Sequence, residues 1–274
     1  MVADMRNREA APAPSSFEFP PKLLSYQVAA LHQQGRREYQ EDDLLTVNDS
    51  DVTLIRQQGM MTVVADGMGG MAGGREASRT VVTTLGEAFR KMVLPKPAGP
   101  QMAAMAHSAG QKVFEALKGR GGSTLAAGFF FDQQFSWVSV GDSYLFLQRG
   151  EGIYRINQDM TVRIDRFREA LSRNSLDTTE GDNDPERVCI TNFVGMRQGD
   201  LSPEYSRIPL RLQDQDRILI CSDGVAGVLT DLELMHALQI GAPAQACAEL
   251  DRLVREKNRK NQDNYTALVI QCRY

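Results

Sequence analysis

The sequence predicts an α+β fold in which helices cover antiparallel sheets, and three observations carry the prediction. Short apolar segments between residues 124 and 156 are joined by tight connections, the pattern of hairpins. Two long amphipathic stretches stand in succession between residues 74 and 118. A second pair of helical segments follows between residues 230 and 256, before a last apolar strand. Strands, a helix pair, strands and a second helix pair in that order suit a layered sandwich.

The elements follow in chain order. Residues 1–21 are rich in Ala, Pro and Ser and are expected to form a mobile tail, leaving 22–274 as a single domain. Asp4, Arg6, Arg8 and Glu9 leave the tail no apolar segment, so neither a signal peptide nor an anchor is expected. Residues 25–31 alternate like a half-buried strand, with Tyr26, Val28 and Ala30 on one face. Strands are also expected at 43–47 and 60–65. Val81, Leu85, Ala88, Phe89 and Met92 fall at helical spacing, and Pro95, Pro97 and Pro100 then interrupt the chain. A second helix over 101–118 carries the stripe Met102, Met105, Ala109, Val113, Ala116 and Leu117. Strands follow at 124–131, 135–140, 144–148 and 153–156. Residues 158–186 are polar and weakly periodic, a candidate surface flap. A strand at 217–221, a capping box at Thr230–Glu233, a helix opened by Pro243 and a strand at 265–271 complete the chain.

Composition narrows the function. The chain has 274 residues, 42% of them hydrophobic, enough for a core and too many for disorder. Its 35 acidic and 31 basic side chains give a net charge of −4, which argues against nucleic-acid binding. No stretch approaches the ~20 apolar residues of a membrane span. Cys189, Cys221, Cys247 and Cys272 show no CxxC spacing and read as free thiols in a reducing cytoplasm. None opens a C-x5-R loop, so thiol catalysis is not expected.

Several carboxylates stand where strands end. Asp42, with Glu41, precedes one strand, Asp66 and Asp142 follow others, Asp223 follows a fourth, and Asp263 precedes the last. Each has a plain explanation alone, since Asp-Gly is a favoured turn pair and Glu41-Asp42-Asp43 could be a solvated cluster. Together they need another. If these strands are neighbours the carboxylates converge and repel, and hard divalent cations such as Mg²⁺ or Mn²⁺ relieve that repulsion best. Arg37, five residues before Asp42, is well shaped to hold a phosphate, although its own segment favours a surface ion pair with Glu41 or Asp43.

These segments resemble the metal-dependent serine/threonine protein phosphatases of the 2C type, in their bacterial form. The resemblance runs from about Tyr26 to the C-terminus. It is carried by REYQED at 37–42, VVADGMGGMAGGREAS at 63–78, GGSTLAAG at 121–128, VSVGDS at 138–143, ILICSDG at 218–224 and DNYTALVI at 263–270. It implies a four-layer α-β-β-α sandwich of two antiparallel sheets flanked by helix pairs. It also implies two divalent cations, Mn²⁺ or Mg²⁺, in a cleft at one edge of the sheets. By the same resemblance Asp66 bridges both cations, the Gly67 carbonyl completes one site, Asp223 and Asp263 bind the first, and Glu41 and Asp42 hold the second. Arg37 would bind the substrate phosphate, Asp142 would help hold a third, weaker cation, and a metal-bridging hydroxide would attack phosphorus. The implied partners are phosphorylated proteins, substrates of a serine/threonine kinase, met by a monomer in the cytoplasm without nucleic acid or membrane.

The chain departs from the family at three places. Gly227 stands where an Asp usually supplies a second ligand to the third metal. Met68 and Met71 occupy positions where relatives carry His, and Tyr144 replaces an Arg. These changes keep open an alternative, a weakly active or inactive relative that binds phosphoproteins as a regulatory module. Retention of Arg37, Asp42, Asp66, Asp223 and Asp263 argues for the enzyme. Residues 67–72 also fit the G-x-G-x-x-A of dinucleotide-binding turns, but Asp66 would repel a pyrophosphate and the hairpins are wrong for a parallel sheet. Residues 119–124 lack the ending of a P-loop. His32, His107 and His236 match no family motif.

Overall fold

The computed structural model describes residues 24–68, 73–197 and 199–274; the expected tail at 1–21 lies outside them. One sheet holds, in spatial order, β1 (Ser25–Gln33), β11 (Tyr265–Arg273), β10 (Arg217–Cys221), β6 (Tyr144–Arg149) and β7 (Gly152–Arg155). The other holds β2 (Asp42–Val47), β3 (Met60–Asp66), β4 (Leu125–Phe131), β5 (Gln134–Val140) and β8 (Glu204–Tyr205), with β9 (Leu210–Arg211) also pairing with β5. Every strand pairing within the two sheets is antiparallel. Since β3 runs antiparallel to both of its neighbours, the glycine-rich sequence after it cannot belong to a dinucleotide-binding βαβ unit.

The sheets stack face to face because their strands are apolar on both sides. In β10, Ile218 and Ile220 point between the sheets, where they meet Phe130, Phe135, Leu145, Leu268 and Ile270. Leu219 and Cys221 point the other way, onto α7 (Asp231–Gln239) and α8 (Pro243–Glu256), where Leu234, Leu250 and Val254 are buried. The period of two thus places one strand in two cores, and its text reads as an unbroken apolar run. On the far face of the second sheet, Val63, Ala127 and Val138 pack under α2 (Gly74–Phe89) and α3 (Ala98–Leu117) through Val81, Leu85, Met102 and Val113. The result is the expected four-layer α-β-β-α order. Ile220 has no solvent exposure, so Ile220→Val should cost ~0.5–1.5 kcal/mol of stability and leave activity unchanged. A urea melt and a turnover assay on the same protein check both.

Five local expectations shift. On β1, Leu31 is buried against the α8 side while Ala30 is exposed, because the strand serves two cores in turn. A short helix, α1 (Val52–Gln58), escapes the periodicity; Asp51 caps it by accepting from the amides of Thr53 and Leu54. Pro100 lies inside the first turn of α3, where its missing N–H costs nothing. The segments β5 and β6 are successive but belong to different sheets, and the turn at Gly141 (φ 90°) carries the chain across. The polar segment 158–186 contains α4 (Val162–Ser172) and α5 (Thr179–Asn183), tied together by Arg163–Asp182, Arg166–Asp184 and Arg173–Glu180 ion pairs. The capping box at Thr230 and Glu233 is present as read. Among the described residues, no helix is long and apolar enough to cross a membrane.

Candidate active site

The strand ends gather the carboxylates at one edge of both sheets. The register of β2 and β3 sets Asp42 directly opposite Asp66, which puts the two side chains on one face. From the other sheet, β10 ends at Cys221, Ser222 is the N-cap of the short helix α6 (Asp223–Ala226), and Asp223 begins it. Ser222 stitches the sheets together. Its Oγ donates to Asp42 Oδ2 at 2.9 Å and accepts from the Thr266 amide at 3.0 Å. The main chain of Asp66 is fixed just as firmly. Its amide donates to Thr124 Oγ1 at 3.0 Å, and its carbonyl accepts from the Thr124 amide at 2.8 Å and from Ser123 Oγ at 3.1 Å. Thr124 Oγ1 lies 2.7 Å from Ser143 Oγ, which ties the turn carrying Asp142 to the same frame.

Asn264 sets the remaining loop. Its amide group donates to the carbonyls of Gln34 and Tyr39, and its Oδ1 accepts from the Glu41 amide at 2.8 Å. Close backbone contacts demand two of the glycines. A Cβ on Gly224 would lie 1.9 Å from the Asn264 carbonyl oxygen, and one on Gly67 would lie 2.3 Å from that of Gly74. The Glu41 carboxylate lies against Gly74 in the first turn of α2. Arg37 reaches over the loop, and its Nη2 donates to Asp263 Oδ2 at 2.6 Å. The ion pair expected with Glu41 or Asp43 is therefore made with Asp263 instead.

The electrostatics show an unbalanced site. Asp66 lies within hydrogen-bonding reach of both Asp42 and Asp223. Burial, followed by the charges of Asp42, Asp223, Asp142 and Asp263, holds its carboxyl well above the usual range. Burial likewise raises Asp42, Asp223 and Glu41, and pushes Asp142 up to about 7, with Asp223 and Asp159 adding to the effect. Like charges crowded into a buried site are relieved by a proton or a cation between them. Asp42 is 5% exposed, and its Oδ1 is buried without a hydrogen-bond partner. An orphaned oxygen beside crowded carboxylates fits hard divalent cations. Among the described residues, no three Asp, Glu, His or Cys side chains are placed so that they could hold a metal ion as they stand. The carboxylates are gathered, with Asp66 at their centre, but not caged.

Of the residues singled out from the sequence, Asp42, Asp66 and Asp223 form the cluster, and Asp142 and Asp263 lie within reach of their charge. Gly227 ends α6, its amide donating to the Asp223 carbonyl at 2.7 Å, and has no side chain to offer. Residues 69–72, including Met71, lie outside the described residues. His107 and His236 are exposed, whereas His32 contacts Thr266 Oγ1 and shares a polar cleft with Asp42. Buried Cys221, Cys247 and Cys272 have thiols raised by burial, Cys247 to about 12, which makes them poor nucleophiles. Sequence reading missed the supporting roles of Ser222, Thr124, Ser143 and Asn264. The signal was a short polar residue interrupting apolar strand text next to a carboxylate or glycine.

The chain is similar to proteins already known. The family profile described as "Protein phosphatase 2C" matches residues 36–259. The protein phosphatase PhpP of Streptococcus pneumoniae is 27% identical over 218 residues, 77% of this chain and 85% of its own. Among solved structures, PppA, a key regulatory component of T6SS in Pseudomonas aeruginosa, superposes with a TM-score of 0.72 at 26% identity, covering 91% of this chain and 99% of its own. The catalytic domain of the serine/threonine phosphatase PstP, in complex with two manganese ions, has the same fold. Its TM-score is 0.72 at 23% identity, over 92% of this chain and all of its own.

Proposed function

The chain belongs to the protein phosphatase 2C family, and from that premise we propose that it hydrolyses phosphoserine and phosphothreonine in proteins with divalent cations held by its strand-end carboxylates. One observation carries the reading: Asp66 faces Asp42 and Asp223 in a frame that crowds their charges and leaves Asp42 Oδ1 without a partner. A structural scaffold has no use for that arrangement. Asp66 would bridge two Mn²⁺ or Mg²⁺ ions beside the Gly67 carbonyl, with Asp223 and Asp263 on one and Glu41 and Asp42 on the other. Bound there, the ions supply the Lewis acidity that lowers the pKa of water and offsets charge on the phosphoryl oxygens.

The chain's own residues then do the positioning. Ser222 and Thr124 hold the Asp42 and Asp66 ends of the sheets in place, whereas Asp263 has to leave Arg37 to join them. Arg37 is half exposed and paired to Asp263; once that carboxylate serves a cation, the guanidinium is free to grip two oxygens of a phosphate. No side-chain nucleophile is required. The partners would be phosphoproteins made by a serine/threonine kinase, met in the cytoplasm by a monomer that needs neither nucleic acid nor membrane.

Release of inorganic phosphate from phosphothreonine and phosphoserine peptides in Mn²⁺, with a phosphotyrosine peptide left intact, is the expected result. Equal turnover of all three would remove the serine/threonine assignment. Arg37→Ala should raise KM for a phosphopeptide about 10-fold or more with a smaller change in kcat, because a charge-assisted phosphate contact is lost. An unchanged KM would leave Arg37 as a surface ion pair. Gly227 offers no ligand, so Gly227→Asp should lower the Mn²⁺ concentration that gives half-maximal activity, provided the turn eases the new Cβ from the Asp223 carbonyl oxygen 2.7 Å away. A metal titration that superposes on the wild type would show that this position is not a missing ligand.

A further inference from the structure

A cavity of about 400 Å³ opens beside the Arg37 loop, between the C-terminal end of α8 and the turn after β1. Arg36, Arg255, Arg259, Asn258 and Gln262 line it, and no Asp or Glu does. The reason is visible in residues 252–260, where Arg252, Arg255, Lys257, Arg259 and Lys260 stand against the single carboxylate of Glu256. Arg252 pairs with Glu249 and Glu256, Arg255 with Asp251, and Lys257 with Glu233. Among the described residues, Arg259 and Arg36 have no carboxylate partner; Arg36 donates instead to the neutral Asn258 Oδ1 at 2.9 Å.

The backbone holds these groups in place next to the catalytic edge. Asn258 follows α8 in the left-handed region (φ 46°), a conformation Asn tolerates. Gly35 (φ 63°) is seated so closely that a Cβ would lie 2.1 Å from the Asp263 carbonyl oxygen, and the Arg36 amide donates to the Gln262 carbonyl at 2.9 Å. This turn sends Arg36 to Asn258 and the next residue, Arg37, to Asp263. The cavity mouth therefore lies one residue along the loop from Arg37, within reach of a polypeptide whose phosphate is held there. Guanidiniums without acidic partners bind carboxylates and phosphates, and this patch is basic on a chain of net charge −4.

We infer that the cavity is a second anion subsite, which takes a carboxylate or a further phosphoryl group carried by the substrate polypeptide near the scissile phosphate. It rests on the reading of the Arg37 edge as the phosphatase centre. It makes the enzyme selective for acidic or multiply phosphorylated segments.

The test compares two phosphothreonine peptides, one flanked by glutamates and one by alanines, with p-nitrophenyl phosphate as a substrate too small to reach the cavity. The wild type should favour the acidic peptide by about 10-fold in kcat/KM, mainly through KM. Arg259→Glu should erase that preference, Arg36→Ala should weaken it, and p-nitrophenyl phosphate turnover by Arg259→Glu should stay at the wild-type level. A wild type without preference, or a preference that survives both substitutions, overturns the subsite. A wild type that turns over neither peptide nor p-nitrophenyl phosphate overturns the phosphatase reading instead. Fluorescence anisotropy with the two labelled peptides then decides the subsite alone: tighter binding of the acidic peptide, weakened by Arg259→Glu, supports it, and equal binding overturns it.

Discussion

Asp66→Asn is expected to reduce Mn²⁺-dependent hydrolysis of p-nitrophenyl phosphate at least ~100-fold, the scale of losing one electrostatic anchor of the transition state. The substitution is nearly isosteric. It leaves the main-chain bonds of Asp66 with Thr124 and Ser123 untouched, because they use the amide and carbonyl and not the carboxylate. What it removes is the charge that would bridge two cations. In the metal-free protein the change also relieves repulsion from Asp42 and Asp223, so the melting temperature should hold or rise. Loss of activity with stability retained separates a ligand from a structural residue. Asp223→Asn should behave the same way, since Asp223 faces the same centre from the other sheet. Near wild-type turnover in Asp66→Asn would place the chemistry elsewhere, whatever the fold.

Much of this centre was legible in the sequence because its parts sit at boundaries that sequence marks well. Apolar strand text that stops at Asp66, Asp142 or Asp223, each beside a glycine, announces both the end of a strand and a carboxylate at that end. The layering was legible for a related reason: a run such as Ile218–Cys221 can be apolar throughout only if both faces of the strand are covered. What the sequence withheld was pairing between distant segments. Nothing near Arg37 points to Asp263, which is 226 residues away and meets it because Asn264 anchors the Gln34–Tyr39 backbone to the start of β11. Nothing near Ser222 points to its link between the sheets, because its partner Asp42 lies 180 residues earlier. The α1 helix was missed because its seven residues bury only Ile55, too little to leave a periodic stripe. The divided loyalty of β1, with Tyr26 and Val28 in one core and Leu31 in another, breaks the simple alternation for the same topological reason.

The supporting residues also explain how a cluster of like charges survives folding. Asp42 receives a hydrogen bond from Ser222, Glu41 sits at the first turn of α2, and Asp263 is offset by Arg37. Asp66 has no such offset, and its nearest neighbours are other carboxylates. It is the residue whose charge most requires a cation.

Metal removal tests this account most directly. Protein exhaustively treated with EDTA and then freed of chelator should hydrolyse p-nitrophenyl phosphate at background rate, and added Mn²⁺ should restore turnover in proportion to the ion bound, saturating near two per chain. Mn²⁺ should also raise the melting temperature of the wild type, and do so less for Asp66→Asn, because cation binding to the native carboxylates stabilises the fold. Robust turnover by the metal-free protein, or Mn²⁺ binding at the cluster without any turnover, would contradict the assignment of these carboxylates as the catalytic metal centre.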